Sequence, residues 1–301
     1  MKLISIAPLI AALPLLSMSC SAQKPAEFPK FSAEAHRGGR GLMPENTIVA
    51  MKNAMTINGI TTLEMDTHIT KDGKVVVTHD DYLSPAFMLT PEGNEIAGTD
   101  AKKYPIYKLS YAELKKFDLG TKYYDLFPQQ KKIKTHISLL SDLIDSVQTD
   151  IRVNHRKQFF YNIETKSSEK GDGVTNPEPA EFVQLLMSVL QKKKILPYVV
   201  IQSFDKRTIQ LITRKYPNVR TSYLVSNKKT YAENIAELGY KPFILSPAWQ
   251  MVDEDMVSRA HADGVKVIPW TPNTAEDIKK LKALNVDGII SDYPDILVKT
   301  Q

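Results

Sequence analysis

Apolar stretches of two kinds alternate along the chain from residue 31 almost to the C-terminus. Short runs rich in β-branched and aromatic residues are typical of buried strands, whereas longer runs repeat their apolar positions with a helical period. The strand-like runs lie at 31–36, 61–70, 75–80, 158–165, 198–204, 220–226, 241–247, 266–271 and 288–291. The helical runs lie at 46–57, 138–149, 178–194, 205–215, 230–238, 253–263 and 274–284. Strands that alternate with helices over short connections predict right-handed βαβ units and a parallel sheet.

The second and third predicted strands are separated only by the loop 71–74. Four residues cannot carry a parallel crossover, so these two strands are predicted to form an antiparallel hairpin. Pairing Thr70 with Val75 would place Asp66 opposite His79. Nine strands are one too many for an eight-stranded barrel, and this hairpin accounts for the extra one. Without the third strand, the other eight fit a TIM (β/α)8 barrel of the α/β class.

The stretch 81–135 does not follow the alternation of strands and helices. It contains several Pro and Gly residues and one short helix, predicted to begin near Ser110 because Ser110 and Glu113 have capping-box spacing. Loops of this length in compact domains are usually lids or binding loops. We therefore predict a small insertion after the third strand, lying over the active face of the barrel.

The N-terminus has the pattern of an export signal, in which Lys2 precedes the apolar run 3–16 and small residues follow. The run is too short and too interrupted by proline to span a membrane. Cys20 lies in an imperfect lipoprotein box, whereas 20–22 fits a signal-peptidase site, so a lipid-anchored and a free exported form both remain open. We predict a signal peptide over 1–22, location in the periplasm or cell envelope, and no membrane contact other than a lipid anchor at Cys20.

The composition indicates how many domains the chain forms and which kinds of site it can contain. With 43% hydrophobic and 24% charged residues, the chain is predicted to form a linker over 23–30 and one globular domain over 31–301. The net charge of +5 is mild and no basic run is interleaved with aromatic residues, so no nucleic-acid partner is expected. The single cysteine, Cys20, lies in the predicted signal. The folded domain can therefore contain neither a disulfide nor a Cys-based zinc site, and any metal must be held by oxygen or imidazole.

In parallel barrels the active site lies at the C-terminal ends of the strands. Acidic, basic and histidine side chains are concentrated at those ends in this sequence. They are accompanied by a few amides, hydroxyls and aromatic residues, and the set comprises His36, Arg37, Glu64, Asp66, His79, Asp80, Glu164, Lys166, Gln202, Ser203, Phe204, Trp270, Asn273 and Asp292.

Glu64 and Asp66 are two residues apart, so on a strand their side chains point to the same face. Carboxylates aimed into a barrel are costly unless a cation neutralises them. Together with Glu164 they would form an all-oxygen site suited to Ca²⁺ or Mg²⁺. A salt-bridge cluster with Arg37 and Lys166 is the alternative interpretation.

His36 and His79 each end a predicted strand beside these acids. Two imidazoles can supply the general base and the general acid that hydrolysis of a phosphodiester needs near neutral pH. Arg37 and Lys166 would hold the anionic phosphate. We also assign two further residues of the rim to substrate binding, Gln202 and Trp270. Trp270 is expected to form an apolar wall of the pocket, and an ordinary core position is the alternative.

In their order along the chain, these motifs resemble the glycerophosphodiester phosphodiesterase family. The resemblance extends over about 31–295, and the combination of motifs is far more specific than any one of them. The motifs are His36-Arg37-Gly38, Pro44-Glu45-Asn46-Thr47, Glu64-x-Asp66, Thr70-Lys71-Asp72-Gly73, Val77-Thr78-His79-Asp80, Glu164-x-Lys166, Gln202-Ser203-Phe204, Trp270-Thr271 and the run from Asp287 to Pro294.

The resemblance implies a TIM barrel of the phospholipase-C-like phosphodiesterase type that hydrolyses glycerophosphodiesters to glycerol 3-phosphate and an alcohol. It implies acid–base catalysis by His36 and His79, and phosphate binding by Arg37 and Lys166. It also implies a divalent cation, Ca²⁺ or Mg²⁺, on Glu64, Asp66 and Glu164. One departure from the family pattern is the extra Arg40, for which contact with substrate and exposure to solvent are both open; we expect it to face solvent.

Two other functions remain open from the sequence. A lysophospholipase-D-like or other lipid phosphodiesterase could use the same barrel, because the insertion decides whether an acyl chain fits. A binding protein without turnover is less favoured, since the histidines and carboxylates expected of a catalyst are all present. The expected partner in either enzymatic case is a small-molecule phosphodiester.

Overall fold

The computed structural model describes residues 24–300, so the predicted signal segment and Cys20 lie outside the described residues. Ten strands form one sheet, of which eight run parallel to their neighbours. The parallel strands are β1 (Ser32–Ala35), β2 (Thr62–Ile69), β5 (Phe160–Thr165), β6 (Val199–Ser203), β7 (Arg220–Val225), β8 (Ile244–Pro247), β9 (Lys266–Val267) and β10 (Gly288–Ser291). Two short strands, β3 (Val75–Val77) and β4 (Ser138–Leu139), pair antiparallel outside this set.

The parallel strands follow the order β10-β1-β2-β5-β6-β7-β8-β9, and hydrogen bonds join the two ends of that series. The amide of Asp287 donates to the carbonyl of Val267, and the amide of Ile290 donates to the carbonyl of Pro269, both at 2.9 Å. Trp270 and Ile290 form a parallel bridge just beyond them. The fold is therefore the predicted TIM barrel, because each parallel strand has a neighbour on both sides.

Helices on the outside of the barrel connect its strands, and the seven predicted helices are all present with shifted ends. The helices are α1 (Ile48–Thr56), α2 (Tyr111–Leu114), α3 (Leu140–Val153), α4 (Pro179–Lys193), α5 (Lys206–Lys215), α6 (Tyr231–Leu238), α7 (Glu254–Ala262), α8 (Ala275–Ala283) and α9 (Pro294–Lys299). The capping box of Ser110 and Glu113 begins α2 as predicted, whereas α9 had no sequence prediction. Within residues 24–300, no helix is long and apolar enough to cross a bilayer.

The main apolar core lies between the outer face of the barrel and the helices. Leu63 and Met65 of β2 point outward into it, and Leu143 of α3 and Phe182 of α4 pack in the same cluster. Glu64 and Asp66 alternate with these apolar residues, so they point into the barrel. The alternation that buries the core thus also aims the two carboxylates inward.

The interior of the barrel has an apolar half and a polar half. A separate apolar cluster contains Val200 of β6, Ile244 of β8, Ile290 of β10 and Ile268, which directly follows β9. The opposite side of the interior is built by buried polar residues of β1, β2, β5 and β6, namely Ser32, Glu34, Thr62, Asn162 and Gln202. This polar half lies directly beneath the predicted active rim.

The hairpin of β2 and β3 has a different register from the one predicted. Ile69 pairs with Val75, and Asp66 is opposite Thr78, whose amide donates to the Asp66 carbonyl at 3.1 Å. The predicted pairing of Asp66 with His79 is therefore wrong by one residue. The reason is the turn, because Thr70 pairs with Lys74 around three loop residues, with Gly73 at φ +69°.

The insertion over 81–135 has a small apolar core of its own and borders the end of the barrel where the strands terminate. Phe127 of the insertion stacks on Arg40, and the side-chain amide of Gln130 donates to the Arg40 carbonyl at 2.7 Å. The insertion therefore contacts the loop that follows β1, as expected of a segment over the active face.

Residues 24–30, predicted as a linker, pack against the opposite end of the barrel. The ring of Phe28 lies 5.1 Å from that of Phe160 and 5.2 Å from that of Phe243. Arg220 stacks on the same aromatic group and donates a hydrogen bond to the carbonyl of Ala26. This segment covers the amino-terminal ends of the strands, because Phe160 begins β5 and Phe243 precedes β8.

Candidate active site

His36 follows β1 and is held by an acid that follows the neighbouring strand β10. Its Nδ1 lies 2.5 Å from Oδ1 of Asp292. Burial lowers the pKa of the His36 imidazole, so the neutral form is favoured. With Nδ1 engaged by the carboxylate, Nε2 is the nitrogen left to meet a substrate.

Asp292 is itself oriented by two further side chains. Nε of Arg40 donates to its Oδ1 at 2.6 Å, and the amide of Asn273 donates to its Oδ2 at 2.7 Å. Burial alone would raise the pKa of Asp292, but His36 and Arg40 outweigh it and hold that pKa below its ordinary value. Asp292 therefore stays ionised and can stabilise a proton on His36.

His79 lies just beyond the hairpin and has a similar but more exposed arrangement. Its Nδ1 is 2.8 Å from Oδ1 of Asp80. The backbone carbonyl of His79 is 3.0 Å from Nε2 of the buried His68. In both histidines of the rim a carboxylate therefore lies at Nδ1, and Nε2 is the nitrogen that remains to face the cleft.

Glu64, Asp66 and Glu164 form a compact buried group. One ligand oxygen from each of them lies within 4.8 Å of the other two. The parallel register of β2 and β5 brings them together, because it sets Asp66 directly beside Glu164. Oδ1 of Asp66 is buried and makes no hydrogen bond within the described part of the chain.

Two cationic side chains neutralise this group only in part. Nε of Arg37 is 3.2 Å from Asp66, and Nζ of Lys166 is 3.0 Å from Glu164. Arg37 also pairs with Glu45 at 2.8 Å. Arg40 also approaches Glu45, at 3.8 Å, and pairs with Asp292. With Glu64 and Asp292 included, five carboxylates thus face three cations, so two negative charges remain when all of these groups are ionised.

The pKa values reflect this imbalance. Burial raises the pKa of Glu164 to about 7, although Lys166 opposes the shift. Burial and the charge of Asp66 raise the pKa of Glu64 well above its ordinary value. Burial would raise the pKa of Asp66, but the charges of Arg37, His79 and Lys166 together outweigh burial and lower it. The excess charge and the unpartnered Asp66 oxygen fit a divalent cation with oxygen ligands, which the salt-bridge interpretation leaves unexplained.

These residues surround an open cleft at the rim of the barrel. Eight of the nine predicted site residues line it, and Asp66 lies in the carboxylate group beside them. The lining residues are His36, Arg37, Arg40, Glu64, His79, Glu164, Lys166, Gln202, Phe204, Leu224, Trp270, Thr271 and Ile290. The apolar lining residues are Phe204, Leu224, Trp270 and Ile290, so the cleft has an apolar wall as well as a charged one.

The structure corrects the expectation for Arg40 and adds residues that the sequence analysis did not assign to the site. Arg40 lines the cleft with 17% of its side chain exposed, so the prediction that it faces solvent is wrong. The side-chain amide of Asn46 donates to Asp66 at 2.8 Å, and Glu45 holds Arg37. The sequence did indicate a role for Glu45 and Asn46. Both are polar residues directly before α1, and Thr47 alone is enough to cap that helix.

Imidazoles beside anion-binding side chains at the C-terminal ends of barrel strands are the arrangement expected of a barrel enzyme that hydrolyses a phosphate ester. The sequence model of the glycerophosphoryl diester phosphodiesterase family matches residues 36–296, and the chain belongs to this family. This confirms the resemblance stated from the motifs, and with it the prediction that the protein is a phosphodiesterase.

Individual relatives extend this comparison over most of the chain. A glycerophosphodiester phosphodiesterase of Bacillus altitudinis is 29% identical over 269 residues, which cover 88% of this chain and 96% of the relative. A lysophospholipase D of Mus musculus is 27% identical and is matched over 87% of this chain and 79% of its own length.

Solved structures are also similar to this chain over most of its length. A Silicibacter pomeroyi protein described as a glycerophosphoryl diester phosphodiesterase superposes with a TM-score of 0.77 at 27% identity, covering 92% of this chain and 95% of its own. An Oleispira antarctica phosphodiesterase in complex with the product sn-glycerol-3-phosphate has a TM-score of 0.68 at 25% identity, covering 89% and 95%.

Proposed function

We propose that the protein hydrolyses glycerophosphodiesters to glycerol 3-phosphate and an alcohol. The observation that carries this proposal is the buried carboxylate group between His36 and His79, which combines a cation site with two positioned imidazoles. The product found in the Oleispira antarctica relative supports glycerol 3-phosphate as the product here.

Substrate binding would depend on the charged wall of the cleft. Arg37 and Lys166 hold the anionic phosphate, since guanidinium and ammonium groups form strong charge-assisted hydrogen bonds with phosphate oxygens. Glu64, Asp66 and Glu164 would hold Ca²⁺ or Mg²⁺, which polarises a phosphate oxygen and offsets the charge that develops there. Gln202 and Trp270 contact the rest of the substrate.

The two histidines divide the proton transfers of the reaction. One imidazole removes a proton from the attacking oxygen, and the other donates a proton to the leaving alkoxide. Asp292 and Asp80 hold the Nδ1 atoms, so each Nε2 can face the phosphate. His36 and His79 are therefore the catalytic residues of this proposal.

A lysophospholipase-D-like activity is the second candidate. The apolar wall of the cleft continues to Phe204, which is 43% exposed, and this ring stacks edge-on against Trp270. Such a wall could accommodate the start of an acyl chain. The Mus musculus relative named as a lysophospholipase D supports this alternative.

The proposed location is the periplasm or cell envelope, with the signal of residues 1–22 removed or Cys20 lipidated. The support is the pattern of Lys2, the apolar run 3–16 and the small residues before Gln23.

The test is an activity assay of the purified mature protein on glycerophosphocholine and on a lysophospholipid. Glycerol 3-phosphate should be released from glycerophosphocholine when Mg²⁺ or Ca²⁺ is added, and turnover should stop in a chelator. Full turnover in the chelator without added cation would contradict the metal assignment. Faster turnover of the lysophospholipid would favour the second candidate.

A further inference from the structure

Glu34 is a buried acid that the proposed reaction does not use. It lies on β1, two residues before His36, and points into the polar half of the barrel interior with 1% of its surface exposed. Within residues 24–300 it forms no ion pair. Burial raises the pKa of Glu34 to about 7, although hydrogen bonds from Asn162 and Ser32 oppose the shift.

Packing of the barrel does not require a carboxyl group at this depth. The other half of the interior is filled by apolar side chains, among them Ile244 and Ile268. An isolated buried acid destabilises a fold relative to an apolar residue of the same size. The hydrogen bonds of Glu34 therefore point to a role beyond filling the interior.

These hydrogen bonds begin a chain that ends on a proposed metal ligand. Nδ2 of Asn162 donates to Oε2 of Glu34 at 2.8 Å and to Oε1 of Gln202 at 3.1 Å. Nε2 of Gln202 then donates to Oε1 of Glu64 at 2.7 Å. Glu34 and Glu64 are thus joined through two side-chain amides, and all four residues are buried.

The two carboxyl groups at the ends decide how the amides are oriented. Glu64 must be ionised when it ligates a cation, and it can then only accept hydrogen bonds. Gln202 therefore presents its NH₂ group to Glu64 and its carbonyl oxygen to Asn162. Asn162 must then donate to Gln202, and its second N–H needs an acceptor. Glu34 supplies that acceptor, while Ser32 donates to the other Glu34 oxygen at 2.9 Å.

We propose that Glu34 is a positioning residue that holds Glu64 in place for the metal through Asn162 and Gln202. The inference rests on the proposed function, because Glu64 matters in this way only if the carboxylate group binds a cation. Residues that orient metal ligands through hydrogen bonds commonly change metal affinity 10- to 100-fold when they are replaced.

The experiment compares two replacements of similar size. Glu34→Leu removes the acceptor, whereas Glu34→Gln keeps an amide oxygen that can accept from Asn162. The control is Ser222→Ala on β7, because Ser222 lies beside Gln202 in the sheet and its buried hydroxyl makes no hydrogen bond within the described residues. Calorimetric titration of the mature protein with Mg²⁺ and with Ca²⁺ measures the metal affinity, and thermal unfolding measures stability in a chelator.

We expect Glu34→Leu to weaken metal binding by the folded protein about 10- to 100-fold. Its unfolding temperature in chelator should also fall somewhat, because Asn162 and Ser32 lose their buried acceptor. Glu34→Gln and Ser222→Ala should bind metal within about threefold of the wild type. A merely structural role would lower the unfolding temperature but leave the affinity of the folded protein unchanged.

Equal metal affinity of Glu34→Leu and the wild type would overturn the inference. A loss of metal affinity in Glu34→Gln as large as that in Glu34→Leu would overturn it too. If Glu34→Leu does not fold, Glu34→Met gives the same comparison with a more adaptable side chain. A wild-type protein that binds neither cation would instead contradict the proposed function.

Discussion

His36 and Asp292 are 256 residues apart in the sequence, yet Nδ1 of His36 lies 2.5 Å from Oδ1 of Asp292. The parallel pairing of β1 with β10 places Ala35 beside Ser291, and the two site residues directly follow this pair. Closure of the barrel therefore creates a carboxylate–imidazole pair from the first and last strands.

Asp292→Asn should lower kcat on the order of 10²-fold or more, because the amide can no longer favour the proton on Nδ1 or stabilise a charged imidazole. KM should change much less, since Arg37 and Lys166 remain. Steady-state kinetics on glycerophosphocholine measures both. The control Asn273→Ala removes only one hydrogen bond to Asp292 and should cost much less in kcat; equal losses would contradict a special role of the carboxylate.

His36→Ala and His79→Ala should each lower turnover on the order of 10²-fold or more, the usual contribution of a positioned acid or base. A nitrophenyl phosphodiester has a leaving group that needs no proton. This substrate should therefore restore turnover in the variant that lacks the general acid and not in the other. Wild-type turnover of both variants on glycerophosphocholine would rule out the proposed mechanism.

Glu164→Gln should abolish stabilisation by metal without unfolding the metal-free protein. Burial raises the pKa of Glu164 to about 7, so its ionised form is unfavourable in the absence of a cation. A cation at one hundred times its dissociation constant should stabilise the wild type by about 2.7 kcal/mol. Thermal unfolding with Mg²⁺, with Ca²⁺ and with chelator tests this, and an equal metal-induced shift in the variant would disprove Glu164 as a ligand.

Glu34 should make stability depend on pH. Its folded pKa of about 7 exceeds the ordinary value of 4.5, so the folded protein holds this proton more tightly than the unfolded chain. The contribution of protonated Glu34 to the free energy of unfolding is fully present below pH 4.5 and is lost as the pH rises to about 7. The loss amounts to roughly 3 kcal/mol.

Glu34→Gln removes this dependence, so its unfolding temperature relative to the wild type should rise between pH 5 and pH 8. Thermal unfolding across that range is the measurement. Glu276→Gln on α8 is the matched control, because Glu276 is exposed. The unfolding temperature of this variant relative to the wild type should change little with pH. If the difference in unfolding temperature between Glu34→Gln and the wild type is constant from pH 5 to pH 8, the prediction that Glu34 is protonated in the folded state is wrong.

Export makes a separate prediction. Expressed in a bacterium, the protein should lose its N-terminal segment and be found outside the cytoplasm, and Cys20→Ala should release it from membranes if Cys20 carries a lipid. Mass spectrometry and fractionation test this. An unprocessed cytoplasmic product that retains Met1 would refute export, whereas a processed wild-type protein free of membranes would refute only the anchor.

The sequence by itself determined the barrel and the content of its rim, because both depend on local patterns. Alternation of apolar residues predicts which faces of β2 are buried, and the same alternation aims Glu64 and Asp66 inward. The spacing of helices and strands predicts parallel pairing, and the carboxyl ends of parallel strands lie at one edge.

The tertiary structure alone decided the register of the hairpin, the partners of the histidines and the position of Arg40. The register depends on a turn in which Gly73 adopts a left-handed conformation. Because β3 consists of three buried valines, its apolar pattern is the same after a shift of one residue and cannot specify the register. Arg40 lies in the cleft because Asp292 from the last strand and Phe127 from the insertion meet it there. These contacts join residues distant in sequence, and no local pattern carries such information, because it is the closure of the barrel that brings the two ends of the chain together.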